Sequence, residues 1–135
     1  MGPLVVHLTH YQEETMKEKV AKKWIKDLRK PKNKQAKKAL FDGTGYCCLG
    51  RLCVVAGYSF YKYKGKYVVK GAPGEIDRRE SQVLPPAIQQ WAGMNSKNGA
   101  FAYDMQTQGC LAYMNDHGSS FTDIADFIEK NWKGL

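Results

Sequence analysis

The chain has 135 residues, 43% of them hydrophobic, and a formal net charge of +8. That length and apolar content suffice for one domain, residues 1–135, with its own core and no disulfide or metal staple. No apolar run approaches the roughly 20 residues of a membrane span, and Leu4-Val5-Val6 is too short for a signal-peptide core, so the sequence reads as cytosolic.

In chain order, residues 1–14 form an N-terminal segment read as flexible or swapped between copies. Residues 15–29 predict an amphipathic helix, with Met16, Val20, Ala21, Trp24, Ile25 and Leu28 at helical spacing and lysines opposite. Pro31 ends it. Residues 32–38 are a lysine-rich connection leading into a second short helical turn through Ala39, Leu40 and Phe41. Asp42-Gly43-Thr44-Gly45 is a turn, because glycine tolerates positive φ and Asp bonds nearby backbone.

Residues 46–56 predict a short buried helix ended by Gly57. Its apolar stripe comprises Cys48, Leu49, Leu52, Cys53, Val55 and Ala56. Cys47, Gly50, Arg51 and Val54 fall on the other side, where Gly50 permits close approach of a neighbour or ligand. Residues 58–63 and 66–70 flank Lys64-Gly65 as a β-hairpin. A charged loop, residues 71–81, leads to a helix over residues 86–92 with Pro86 in its first turn and Gly93 past its end. Residues 100–105 and 110–114 predict a second hairpin. A last helix is capped by Ser119 or Ser120, with Phe121, Ile124, Ala125, Ile128 and Trp132 on one face. The pattern is α+β, with four helices and two hairpins.

Charge is unevenly spread: residues 1–40 carry +7, residues 41–99 carry +4 and residues 100–135 carry −3. A basic front and acidic tail suit a polyanionic partner, or head-to-tail attraction between subunits in a homo-oligomer. Only four of the 21 cations are arginines, the usual choice for bidentate phosphate recognition. Lysine on a solvated face accounts for the same composition.

Neither a metal nor a catalytic constellation emerges. Cys48 and Cys53 are five apart, without a Cys-x2-Cys pair, so the cysteines read as reduced core residues. A thiol dyad would need a cysteine with His10 or His117, and Cys47 is the one cysteine placed off the buried face. Asp123, Asp126 and Glu129 fall where a solvated helix face puts acids. The sequence therefore predicts no enzyme and no cofactor.

Phosphate binding is the stronger pattern. Gly43-Thr44-Gly45 precedes a helix whose N-terminal N–H groups attract anions, with lysines just upstream. Lys34, Gln35, Lys37, Lys38 and Thr44 form a candidate cradle for phosphate or sugar, Tyr46 or a hairpin tyrosine is available to stack on a base, and Arg51 adds a cation. The same charge admits a rival use, direct DNA or RNA binding. Lys62, Lys64 and Lys66 interleave with Tyr61, Tyr63 and Tyr67, an arrangement suited to single strands, without any helix-turn-helix, zinc-finger or RNP pattern.

Four blocks carry a family resemblance. They are Tyr46-Cys47-Cys48-Leu49-Gly50-Arg51-Leu52-Cys53, then Leu84-Pro85, then Trp91-Ala92-Gly93, and finally Leu111 with Asn115-Asp116, Gly118, Phe121, Ile124-Ala125-Asp126 and Ile128-Glu129. Trp24, Leu28, Lys34-Gln35 and Ala39-Leu40 precede them. In order and spacing they resemble a widespread family of small phage accessory proteins, with Arg51 in place of a commoner Val. The resemblance extends to anti-CBASS sponges, and implies a homo-oligomer, dimer or tetramer, that sequesters a cyclic di- or oligonucleotide in the host cytoplasm without cleaving it.

Overall fold

The structure is a computed structural model, and it describes residues 15–101 and 109–135. Among the described residues, five α-helices and one antiparallel hairpin make an α+β fold: α1 Glu18–Leu28, α2 Cys48–Val55, β1 Phe60–Tyr63, β2 Lys66–Val69, α3 Pro86–Ala92, α4 Leu111–Asp116 and α5 Phe121–Asn131. A single 3-10 turn, Trp132–Gly134, follows α5. Among the described residues no helix is long and apolar enough to cross a membrane.

The helical layer is built on α1, which packs against both α5 and α2, while α4 bridges α2 and α5. Val20, Ala21, Trp24, Ile25 and Leu28 recur at helical spacing and are buried. Trp24 is wholly enclosed, and its indole N–H donates to the carbonyl of Cys48 at 2.9 Å, so the largest core side chain keeps no unpaired polar group. Leu49, Leu52, Leu84, Ile88, Leu111, Ile124 and Ile128 complete a continuous core.

Helix α2 begins at Cys48 because two side chains take its first N–H groups. The Cys47 sulfur accepts from Gly50 N–H at 3.4 Å, and Asn115 Oδ1 accepts from Cys48 N–H at 3.1 Å. Gly50 is sterically required here, since a Cβ on it would lie 1.9 Å from the Leu40 carbonyl oxygen. That close approach lets residues 34–42 lie across α2, with Cys47 N–H donating to Leu40 O and Ala36 N–H to Tyr46 O.

The hairpin pairs Phe60 with Val69 and Tyr63 with Lys66. Lys64 and Gly65 both have positive φ, 50° and 81°, the requirement of a type I′ turn whose twist matches its strands. Pro86 opens α3 and Gly93 closes it in the left-handed region at φ 73°. Ser120 and Asp123 form a reciprocal capping box on α5.

Three expectations are corrected. Residues 110–114 are not a strand: Cys110 caps α4 by accepting from Tyr113 N–H, and Leu111, Met114 and Asn115 bury at helical spacing. What remains of the second hairpin is one bridge, Ala100 to Cys110, and residues 102–108 lie outside the described set, as do residues 1–14. Residues 39–41 form bends and a bridge rather than a helical turn, because Leu40 is pinned from both sides, by Ser81 O and by Cys47 N–H. Cys47 is buried at 5% exposure, and Cys110 is the more accessible thiol.

Candidate functional site

Residues 34–40 carry little apolar surface of their own, so polar side chains hold them against α4 and the start of α5. Gln35 bonds three groups: its amide N–H donates to Asn115 Oδ1 at 2.9 Å and Ser119 O at 2.8 Å, and its carbonyl accepts from Phe121 N–H at 3.0 Å. Asn115 is fully buried and saturates its own amide, accepting from Gln35 and Cys48 N–H and donating to Ala36 O at 2.7 Å and Asp116 Oδ1 at 3.2 Å. Asp116 Oδ1 also accepts from Lys38 N–H at 2.8 Å. Lys38 stands at φ 63°, a left-handed conformation that a lysine adopts only when its surroundings impose it.

The next five residues meet the hairpin through aromatic rings. Phe41 stacks on Tyr46 at 4.4 Å and meets Tyr67 edge-on at 4.9 Å and Phe60 at 5.4 Å. Such contacts are worth about 0.5–1.5 kcal/mol each beyond burial, enough to fix the hairpin against this segment. Gly43, at φ 97°, makes room for the Tyr67 ring, which a Cβ would approach to 2.9 Å.

Between segment and hairpin lies an open groove of about 400 Å³, lined among others by Lys38, Phe41, Asp42, Lys62, Lys66 and Tyr67. Among the described residues none of the three ammonium groups has a carboxylate partner within ion-pair distance. Three unneutralised cations beside two aromatic rings in a concave surface form an attractive seat for an anion carrying a flat apolar group.

The three buried thiols offer no nucleophile. Burial pushes Cys47 up to about 11 and Cys48 and Cys53 higher still, so all three stay protonated at neutral pH. Among the described residues no three His, Cys, Asp or Glu side chains are grouped to hold a metal.

The family model described as Domain of unknown function (DUF8296) matches residues 16–132. The chain belongs to the DUF8296 family. No curated protein and no solved structure matches it.

Two of the sequence blocks of this DUF8296 chain meet in space. The double-cysteine block touches the Asn-Asp block through Cys48 N–H to Asn115 Oδ1, and through the Cys48 thiol to Leu111 O at 3.8 Å. They form a structural joint, and the groove opens beside it.

The expected phosphate cradle is laid out differently. Thr44 is exposed, and its N–H and that of Gly45 both donate to Asp42 Oδ1, at 2.9 and 2.7 Å. These bonds hold the Asp42 carboxyl below its usual range, Gly45 N–H contributing most. The turn thus already holds a carboxylate where an external anion was expected, and Asn115 and Cys47 occupy the first N–H groups of α2. Gln35 is engaged in the joint. Arg51 is half-buried and grips the buried Asp27 through two bonds of 2.8 Å, with its guanidinium 4.8 Å from the Tyr46 ring centre. Tyr46 is half-buried under Phe41 and Arg51, while Lys34 and Lys37 are exposed outside the groove lining.

Of Lys34, Gln35, Lys37, Lys38, Thr44, Tyr46 and Arg51, Lys38 alone lines the groove, and Tyr67 is the hairpin tyrosine found there. The fold joins Lys38 to Lys62, Lys66 and Tyr67 of the hairpin, which the sequence associates with single-strand binding. Phe41 and Gln82 carry no sequence signal of this role; only tertiary contact with the hairpin places them there.

Proposed function

We propose that this DUF8296 protein is a non-catalytic nucleotide-binding protein, and that its physiological act is sequestration of a cyclic di- or oligonucleotide. The observation that carries the reading is the groove itself, lined by Phe41, Tyr67 and three lysines that have no carboxylate partner among the described residues. Lysines hold phosphates as point charges, and the half-buried Phe41 and Tyr67 rings offer apolar contact to a base. Among the described residues the lining of this groove contains no thiol or imidazole, and its one carboxylate, Asp42, accepts through Oδ1 from the turn's own N–H groups. That supports binding without cleavage. Removal of a messenger by mass action needs only affinity and enough sites. In this reading the protein is a phage anti-defence factor acting in the host cytoplasm as a homo-oligomer.

Single-stranded DNA or RNA is the rival ligand, and one observation counts against it. Tyr63 is covered by the Arg79 guanidinium at 4.3 Å, and the Tyr61 hydroxyl is tied to Asp77 at 2.8 Å, so the outer tyrosines of the hairpin are engaged by their own chain. An extended strand would find fewer open ring faces than the sequence promises.

Thermal-shift measurements against cyclic dinucleotides, linear dinucleotides and a single-stranded oligonucleotide discriminate these readings. Cyclic dinucleotides should raise the melting temperature and be recovered intact by mass spectrometry after heat denaturation. Recovery of a cleaved product would make the protein an enzyme, and no shift with any nucleotide would end the proposal. Chromatographic mass measurement of the same sample reads the oligomer.

A further inference from the structure

A second lobe adjoins the lysine groove and shares Lys38, Ala39 and Gln82 with it. It is open, about 350 Å³, and its lining changes character: beside the shared Gln82, Cys47, Asn98 and Asp116 replace the aromatic rings and the hairpin lysines. Each lobe alone reaches the lower bound of small-ligand sites, about 300 Å³.

The chemistry of this lobe is asymmetric. Asp116 is half-buried at the end of α4, and its Oδ1 is committed to Lys38 N–H and Asn115 Nδ2. Its Oδ2 has no hydrogen bond among the described residues, and an ionised carboxylate is acceptor-only. The side-chain amides of Gln82 and Asn98, also without partners among the described residues, supply donors as well as acceptors at the same surface.

We propose that this lobe reads the base of the bound nucleotide and selects guanine over adenine. The inference rests on the nucleotide reading of the adjoining groove. Guanine presents adjacent donors, N1–H and the N2 amino group, that the one uncommitted oxygen, Asp116 Oδ2, accepts through its two lone pairs, and acceptors O6 and N7 to amide N–H groups. Adenine turns its N1 lone pair toward the same carboxylate and lacks the N2 amino group, so it leaves Asp116 repelled and underbonded. A site built to bond a donor rejects the analogue lacking it far more strongly than an apolar pocket rejects a size change. Lys38 lines both lobes and is thus placed to meet a phosphate that joins the nucleoside in this lobe to the one in the groove.

The test compares 5′-GMP with 5′-AMP, and cyclic di-GMP with cyclic di-AMP, by calorimetric titration of the full chain. Guanine nucleotides should bind at least ~10-fold tighter, about one and a half kcal/mol. Asp116→Asn keeps an Oδ1 acceptor for Lys38 and Asn115 but exchanges Oδ2 for a donor. It should bring the two bases to within ~2-fold, by weakening guanine alone. Asn98→Ala, whose backbone carbonyl still accepts from Ala112 N–H, should lower the guanine preference independently if the Asp116 variant fails to fold. Equal affinity for both bases, abolished by Lys62→Ala with Lys66→Ala, would overturn guanine selection and leave the nucleotide reading standing. A preference unchanged in both lobe variants would overturn the assignment to this lobe. No binding of any of the four would overturn both.

Discussion

Asn115 shows how much of this fold hangs on one polar side chain. It is wholly buried, and its four hydrogen bonds join residues 34–36, the start of α2 and the end of α4. Replacing it with Ala strands the N–H of Cys48 and the carbonyl of Ala36 without water. The expected loss is ~3 kcal/mol in urea unfolding, since each buried unpaired group costs about 1–3 kcal/mol. Gly50→Ala should destabilise comparably, about 2–3 kcal/mol, because the added methyl must displace the Leu40 backbone. At this scale the sequence is half legible. Gly50 is readable as a point of close approach, and the approaching group is backbone rather than ligand. Asn115 is visible only as a member of a block, because nothing local reveals partners about 80 residues away. Cysteine reactivity gives an independent check: limited alkylation followed by peptide mass analysis should label Cys110 first and leave Cys47, Cys48 and Cys53 protected, in keeping with their burial. Early labelling of Cys47 would contradict the packing of residues 34–42 over α2.

Among the elements, those with a strong local signal match their expectation: α1 has its apolar periodicity, α3 its Pro86 and Gly93, α5 its periodicity and capping box, and the first hairpin its Lys-Gly turn. Helix α4 does not. Its six residues mix tyrosine and methionine in a short run that periodicity alone assigns to either state, and contact with α2 and α5 decides it. The loop after the hairpin is held by two phenols, Tyr58 donating to Glu75 at 2.7 Å and Tyr61 to Asp77 at 2.8 Å. Burial first, and then the Glu75 carboxylate, push Tyr58 up to about 12. An unfolded tyrosine ionises near pH 10. The folded chain therefore keeps this proton between about pH 10 and 12 while the unfolded chain releases it, and the Tyr58 contribution is complete below pH 10 and lost across that window. Tyr58→Phe should flatten that part of the decline in unfolding midpoint. An unchanged slope would show that the phenol does not hold the loop.

For the whole molecule, the opposed charges of the two ends meet within one chain. Arg29 of α1 reaches Asp126 at 2.6 Å and Glu129 at 3.2 Å on α5. Exposed pairs of this kind contribute little stability, and their consequence is a changed charge distribution. With part of the acidic tail occupied by Arg29, and Glu18 paired to Lys22 on α1, the groove lysines Lys38, Lys62 and Lys66 keep no carboxylate partner among the described residues. Binding through the groove should weaken as salt rises, because neutralised phosphates release counterions. The slope should be shallow for a ligand with two phosphates and steep for a long single strand, which separates the two ligand classes. The sequence conveys the excess of lysine but not its convergence. Lys38 is brought to Lys62 and Lys66 by the Asp116 contact and the aromatic cluster around Phe41, both formed only in the folded chain.

The central claim, that this groove binds a nucleotide, is tested most directly by calorimetric titration of cyclic dinucleotides into the unmodified protein and into Lys62→Ala with Lys66→Ala. Saturable binding by the first, and a loss of at least ~10-fold in the second at unchanged melting temperature, is the expected result. Undiminished binding by the lysine variant, or none by the unmodified protein, would contradict it.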